Sequence, residues 1–227
     1  MANLLTFYGT TDKQERKAFL SLTQRANVPA WWQHYSDILP GWFEMYLGLE
    51  QASSAIRTYE PQFVPGLLQT REVARVVIQS GNPTASQAGV ERRVSLRMTR
   101  QEVLSQPGAP NLWTVIDEAA LRRLDGRSTM RAQIEHLIKM GELPNVIIQA
   151  IPIHSSTHVA VGGPFSTLSF ADPDLPDVTY LEQLNSAVYL HKSQDIEDYL
   201  MLMEQLGIYA KSPTETTEFL SSILKET

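Results

Sequence analysis

Apolar positions in the first half of the chain recur at helical spacing. Four segments place apolar side chains three or four positions apart, with charged residues between them: 12–24, 41–54, 67–79 and 90–104. This period predicts amphipathic helices that each bury one face. Residues 55–63 look extended instead, and Val64-Pro65-Gly66 is a turn signal. The pattern therefore predicts a mainly helical half over residues 1–104.

The second half, residues 105–227, mixes strand and helix patterns. Short runs rich in β-branched and aromatic residues predict strands at 112–116, 145–151, 165–170, 178–181 and 187–190. The last two runs predict an antiparallel hairpin. Helical spacing returns at 129–140, 193–206 and 213–224, with Ser128 as the expected N-cap of the first and Gly141 as its stop.

This order of elements predicts an α+β fold, with a helical N-terminal half packed on a small, mainly antiparallel sheet and C-terminal helices. The two halves, 1–104 and 105–227, are expected to form one compact domain or two tightly packed subdomains. Residues 105–111 are the best candidate for a boundary between them.

Composition narrows the class of protein. Hydrophobic residues make up 43% of the 227 positions and charged residues 19%, which is typical of a globular chain. The absence of cysteine excludes disulfides, thiol nucleophiles and cysteine-ligated metals. A net charge of −6 argues against a chain-wide nucleic-acid surface. The sequence shows neither a secretory signal nor a membrane-spanning run, so we expect a cytoplasmic protein without membrane contact.

Common catalytic and cofactor motifs are missing. The sequence contains no phosphate-binding glycine loop, no G-x-S-x-G elbow and no H-E-x-x-H zinc motif. His154 and His158 are close in sequence, but they lie in a predicted loop, where solvated histidines are the simpler interpretation. We therefore expect no metal and no cofactor.

Arginine is concentrated between Glu91 and Arg131, where eight arginines face five acidic residues. One interpretation is internal ion pairing with the acidic stretch at 172–204. Another is an anion or carboxylate pocket lined by Arg93, Arg97 and Arg100, with Glu118 or Glu182 nearby. A nucleic-acid patch is a third, weaker interpretation, because no aromatic residues alternate with these arginines.

Aromatic residues are concentrated between Trp31 and Tyr46, where three of the four tryptophans lie. Such a group usually builds one corner of a hydrophobic core, because aromatic side chains bury the largest apolar areas. The alternative is a wall for a ligand. The candidate wall residues along the whole chain are Trp31, Trp32, Tyr59, Phe63 and Trp113.

Several motifs in a fixed order carry a family resemblance. They are Tyr59-Glu60-Pro61, Val64-Pro65-Gly66-Leu67-Leu68-Gln69-Thr70, Glu91-Arg92-Arg93-Val94 with Arg97 and Arg100-Gln101, Asp117-Glu118-Ala119-Ala120-Leu121-Arg122-Arg123, and the stretch from Phe165 to Glu182. Together they resemble the C-terminal domain of unknown function that follows an Xre-type helix-turn-helix in actinobacterial transcriptional regulators, often linked to secondary metabolism. The resemblance runs from about Ala18 to the C-terminus.

The resemblance implies a ligand-sensing and dimerisation domain that forms a homodimer and binds a small molecule. Arg93, Arg97, Glu118 and Glu182 are its expected polar anchors. Residues 1–9 resemble only the last piece of a helix-turn-helix domain. We therefore expect no direct DNA binding by this chain. The alternative is a stand-alone enzyme of small-molecule biosynthesis, for example a cyclase, which reuses the same pocket. Its candidate acid–base residues are Glu118, Glu182, His154 and His158. A third possibility is an adaptor without a small-molecule site.

Overall fold

The computed structural model describes residues 30–124, 126–154 and 163–226. The chain divides into two compact units, Met1–Asp37 and Ile38–Thr227. The described part of the first unit contains a short 3₁₀ helix, Trp31–Tyr35, in which the indole rings of Trp31 and Trp32 meet edge to face with centroids 5.6 Å apart. The predicted helix at 12–24 lies outside the described residues.

The second unit contains all the helices and strands described below. The helices are α1 (Gly41–Ala52), α2 (Arg71–Gly81), α3 (Gln87–Gln101), α4 (Glu118–Arg122), α5 (Arg127–Met140), α6 (Ser193–Tyr209) and α7 (Pro213–Glu226). The strands are β1 (Ala55–Glu60), β2 (Asn111–Asp117), β3 (Val146–Ile151), β4 (Phe165–Ser169), β5 (Val178–Glu182) and β6 (Ala187–Leu190). Single 3₁₀ turns lie at Gly66–Leu68 and Glu102–Leu104. The predicted α+β class is confirmed.

The six strands of the described residues form one mixed sheet in the order β3-β2-β1-β4-β5-β6. β1, β2 and β3 are parallel neighbours, whereas β4, β5 and β6 pair in antiparallel fashion. The sequence predicted a small, mainly antiparallel sheet and so missed the parallel part. Helices α2 and α3 separate β1 from β2, and α4 and α5 separate β2 from β3. Such helical crossovers join parallel strands. β1 lies at the centre of the sheet, so residues from both predicted halves build it.

The two faces of the sheet bury different sets of residues, because successive side chains of a strand point to opposite sides. The first face carries Ile56, Leu112 and Leu168, which belong to a core shared with α1, α5 and α7. The second face carries Tyr59, Val115 and Phe165, which belong to a core shared with α6. A small third cluster joins α2 to α3.

Tertiary packing shifts several predicted element boundaries. Leu67 and Leu68 are buried in the 3₁₀ turn, and α2 begins only at Arg71, where the Thr70 hydroxyl accepts a hydrogen bond from the Val73 amide at 3.4 Å. The expected N-cap of α5, Ser128, is wrong, because the helix begins at Arg127 after Gly126 at φ +83°. That conformation favours glycine. Gly141 follows the last residue of α5 as predicted.

The hairpin formed by β5 and β6 is antiparallel as predicted, with Tyr180 paired to Tyr189. Across the described ranges, no helix has the length and apolar character that crossing a membrane requires.

Candidate functional site

Two glutamates meet at one edge of the first face. Glu60 ends β1 and Glu182 ends β5, and the strand between them, β4, runs antiparallel to both. The carboxyl ends of β1 and β5 therefore lie at the same edge of the sheet. The register pairs Thr58 with Ser166 and Ser166 with Tyr180, which places these three side chains on one face. Glu60 and Glu182 each follow two residues later and share that face.

Helix α3 brings two arginines to this edge. Arg97 and Arg100 are three residues apart, so they lie on one side of the helix. The loop between β1 and α2 packs against them, since the Arg97 guanidinium donates to Gln69 Oε1 at 2.8 Å. Gln101 holds the same loop by donating to the carbonyls of Gly66 and Gln69 at 2.9 and 2.8 Å. The P-G-L-L-Q-T motif and the arginine helix are therefore one structural unit.

Gly66 lies close to both arginine side chains. A Cβ atom there would lie 3.2 Å from Arg100 Nη1 and 3.5 Å from the Arg97 side chain. The loop therefore lies against both guanidinium groups with little room to spare.

Arg100 forms a buried two-pronged ion pair with Glu50 of α1. The Nε–Oε1 and Nη2–Oε2 distances are 2.7 and 2.6 Å, and the side chains are only 10% and 3% exposed. The guanidinium also lies over the rings of Phe43 and Tyr46, 5.5 and 5.1 Å from their centroids. Burial alone would lower the pKa of Arg100, but Glu50 raises it, so this arginine stays charged. Its partner is on α1 and not in the acidic stretch at 172–204.

Arg97 is bound less completely than Arg100. Within the described ranges its guanidinium makes one hydrogen bond, to Gln69, and no ion pair. Burial lowers the pKa of Arg97 to about 10, with Arg100 acting in the same direction, while Glu182 and Glu60 raise it. Arg97 therefore remains a cation at neutral pH and has donors left over.

The Glu60 carboxyl group has no hydrogen bond or ion pair in the part of the chain that the structure describes. Burial raises its pKa to about 8, with a further contribution from Glu182, although Arg97 and Arg100 act against the shift. The fully buried side-chain atoms that lack a partner among the described residues belong to Thr114 and His136. The unpaired atoms of Glu60 and Arg97 therefore keep contact with solvent.

Tyrosines line the site beneath the charges. The Tyr180 hydroxyl donates to Glu182 Oε2 at 2.9 Å, and its ring lies 4.3 Å from that of Tyr46. Burial raises the pKa of both phenols well above the usual range, so both stay protonated. Glu182 itself is exposed and links the site to solvent. We call this set the charged cluster: Tyr46, Glu50, Glu60, Arg97, Arg100, Tyr180 and Glu182.

Of the residues predicted from the sequence, the structure brings Arg97 and Glu182 together. Tyr59 and Trp113 lie on the second face, with the sheet between them and the charged cluster. Tyr59 packs 6.2 Å from the Phe165 ring, and Trp113 donates to Gln149 Oε1 at 2.8 Å. The structure therefore does not place these aromatics and Arg97 around one site.

The remaining predicted residues lie elsewhere. Glu118 is buried and accepts hydrogen bonds from Arg122 Nε at 2.5 Å and from the Ile153 amide at 2.9 Å. Arg93 donates to the Gly89 carbonyl of its own helix at 3.3 Å. Phe63 is 48% exposed and His154 is exposed. Trp31 and Trp32 belong to the other compact unit, and His158 lies outside the described residues.

Sequence reasoning missed Glu50 and Glu60. Glu50 shares one helical face with the buried residues Tyr46 and Leu47. An acidic residue on an apolar helical face indicates a buried carboxylate that needs a partner, so the sequence did contain a signal for Glu50. Glu60 belongs to the Tyr59-Glu60-Pro61 motif, but nothing in the local sequence shows that its carboxyl group would lack a partner. The described residues contain no group of three histidine or acidic side chains arranged for a metal ion.

The chain can also be compared with known proteins. The family model described as "Domain of unknown function (DUF5753)" matches residues 43–222. The chain belongs to the DUF5753 family. The match includes every residue of the charged cluster. Neither the curated proteins nor the solved structures contain a match to this DUF5753 chain.

Proposed function

We propose that this DUF5753 domain binds a small polar molecule at the charged cluster and serves as the sensing domain of an Xre-type transcriptional regulator. The observation that carries the proposal is a half-buried carboxyl group, Glu60, beside a half-buried guanidinium, Arg97, neither of which has an ion-pair partner among the described residues. Partly buried charges are costly unless they are paired. A ligand that supplies the missing contacts would be stabilised by both groups.

A route for the signal follows from the Arg100–Glu50 ion pair. Arg100 is one helical turn from Arg97, and Glu50 lies on α1, the first helix after the N-terminal unit in sequence. A ligand that contacts Arg97 would favour one placement of α3, and the ion pair would pass that preference to α1. Such coupling requires different ligand affinities for two arrangements of the domain. In this proposal the regulator is a homodimer, and a partner segment binds the DNA.

A stand-alone enzyme is the second candidate function, and one observation favours it. The carboxyl of Glu60 has its pKa raised to about 8 and keeps contact with solvent. A group whose pKa lies near the working pH can both accept and donate a proton. Glu60 would then be the acid–base residue of the charged cluster.

Native mass spectrometry tests the binding proposal. Wild-type protein is expected to carry a co-purified small molecule, or to retain one from a metabolite extract, and Arg97→Met is expected to lose it. Arg93→Met is the matched control, because Arg93 is a half-buried arginine of the same helix whose one hydrogen bond among the described residues is to the Gly89 carbonyl of that helix. Equal retention by both variants would remove the charged cluster from the proposal.

Incubating the bound molecule with wild-type protein and with Glu60→Gln distinguishes an enzyme from a sensor. Conversion to a new mass by the wild type alone supports an enzyme. An unchanged molecule that stays bound to both proteins supports a sensor.

A further inference from the structure

We propose that the ligand of the charged cluster carries a positively charged amino group, which binds between Glu60 and Glu182. This inference rests on the proposed function, since it assigns a chemical class to the molecule bound there.

The balance of charge in the cluster points to a cation. Glu50 and Arg100 neutralise each other through two short hydrogen bonds. The remaining groups are Arg97 with one positive charge and two carboxylates, Glu60 and Glu182. At neutral pH Glu60 keeps its proton and these groups carry no excess charge; once Glu60 ionises, the cluster carries one negative charge in excess. One ammonium group restores neutrality, whereas an anionic ligand would double the imbalance.

The spacing of the two carboxylates suits a shared cation. Only β4 separates β1 from β5, so the backbones at Glu60 and Glu182 are two strand spacings, about 10 Å, apart. Their side chains emerge on one face and can converge on a group between them. The Tyr180 hydroxyl holds Glu182 Oε2, which leaves Oε1 without a hydrogen bond within the described ranges.

The titration of Glu60 agrees with this geometry. Desolvation and the neighbouring Glu182 both raise the pKa of Glu60, to about 8. At neutral pH a proton therefore occupies the carboxyl that a ligand cation would otherwise neutralise. An amine that binds there displaces the proton, and its affinity becomes coupled to pH.

Matched small probes test the charge class directly. Propylamine, propanol and propanoate have the same carbon chain and differ in charge, and each is titrated into ¹⁵N-labelled protein. Propylamine is expected to shift the amide signals of Glu60 and Glu182, whereas propanol and propanoate are not. Its apparent affinity is expected to rise about tenfold per pH unit between pH 6 and 7, because binding requires ionised Glu60.

Variants show whether the two carboxylates make the site. Glu60→Gln/Glu182→Gln is expected to weaken propylamine binding at least tenfold at pH 8, and Glu135→Gln, an exposed change on α5, is expected to leave it unchanged. If the double variant does not fold, the single exposed change Glu182→Gln is expected to reduce the affinity on its own. Equal amine binding by wild type and the Glu182 variant would overturn the proposal.

The outcomes also separate this inference from the proposed function. Shifts caused by propanoate at Arg97, without shifts by propylamine, would overturn the cationic ligand and still support ligand binding at the cluster. If no probe shifts any amide of the cluster, the amine proposal is wrong. Ligand binding is then decided by the mass-spectrometric comparison of Arg97→Met with Arg93→Met.

Discussion

The two faces of the sheet treat their polar groups in opposite ways. On the second face, Trp113 donates to Gln149, and Gln149 in turn donates to the carbonyls of Gly207 and Lys211 at 3.1 and 2.9 Å. On the first face, Glu60 and most of the Arg97 guanidinium lack such partners within the described ranges. The polar groups of the second face therefore serve packing. The first face has hydrogen-bond donors and acceptors that the folded protein itself does not pair. Polar groups whose hydrogen bonds are all made within the protein indicate a structural role. Charged groups that lack such partners indicate a binding or catalytic site.

The largest effect on stability is expected at the Arg100–Glu50 ion pair of the first face. Arg100→Met should lower the free energy of unfolding by about 3–5 kcal/mol, because it leaves the Glu50 carboxylate buried without its ion-pair partner. Urea denaturation measures the loss. The double variant Arg100→Met/Glu50→Leu should recover part of it, since both buried charges are then removed. A loss below 1 kcal/mol would mean that this pair behaves as a surface ion pair.

The next largest effect is a pH dependence of stability that is caused by the unpaired carboxyl group of Glu60. The pKa of Glu60 rises from 4.5 to about 8 on folding, so the native state keeps a proton that the unfolded chain loses. Wild-type stability should therefore fall as pH rises from 4.5 to 8 and then level off. Glu60→Gln removes this fall.

The variant is thus expected to be equal to wild type near pH 5 and more stable at pH 9, by about 2–4 kcal/mol once solvent screening is allowed for. Urea denaturation of both proteins at the two pH values measures the difference. Parallel pH curves for variant and wild type would contradict the assignment of the raised pKa to Glu60.

A smaller effect is expected from overpacking the second face. A Cβ atom at Gly207 of α6 would lie 2.5 Å from a ring carbon of Trp113, so Gly207→Ala should cost about 1–3 kcal/mol. Gly81→Ala at the end of α2 is the control, because a Cβ atom there meets nothing within 4 Å. Thermal unfolding should show a lower midpoint for the first variant only.

The smallest effect tests the saturated hydrogen bonds themselves. Gln149→Leu keeps most of the side-chain volume but removes the partner of Trp113 Nε1 and one donor each from the Gly207 and Lys211 carbonyls, which should cost about 1–2 kcal/mol. The Lys211 carbonyl keeps its hydrogen bond from the Thr216 hydroxyl. It should not change ligand binding, because the sheet separates Gln149 from the charged cluster. A matched loss of ligand in native mass spectra would show that the two faces are coupled.

Local signals predicted much of the fold. The helical spacing from position 41 corresponds to α1, and the two strand-like runs at 178–181 and 187–190 correspond to the β5–β6 hairpin. Both are short-range patterns, which a window of sequence contains completely. The 3₁₀ turn at Leu67 and Leu68 was missed because burial in the core decides the conformation of these two residues, and helical spacing alone does not reveal it.

The site was predictable only in part. Arg97 and Arg100 could be read from their spacing on one helix. Tyr59, Trp113 and Phe63 share the aromatic character of ligand walls, but character does not reveal which side of a sheet a residue faces or whether it is covered. Tyr59 is packed in the second core, while Phe63 is left exposed. Their roles in binding stay predictions.

The sequence by itself determined the periodic elements, the hairpin and the arginine face of α3, because each depends on residues close together in the chain. Only the tertiary structure decided that β1 lies between β2 and β4, and that Glu60 and Glu182 therefore meet at one edge of one face. Strand pairing joins residues far apart in sequence, and a shift of one residue in register would turn either glutamate to the opposite face.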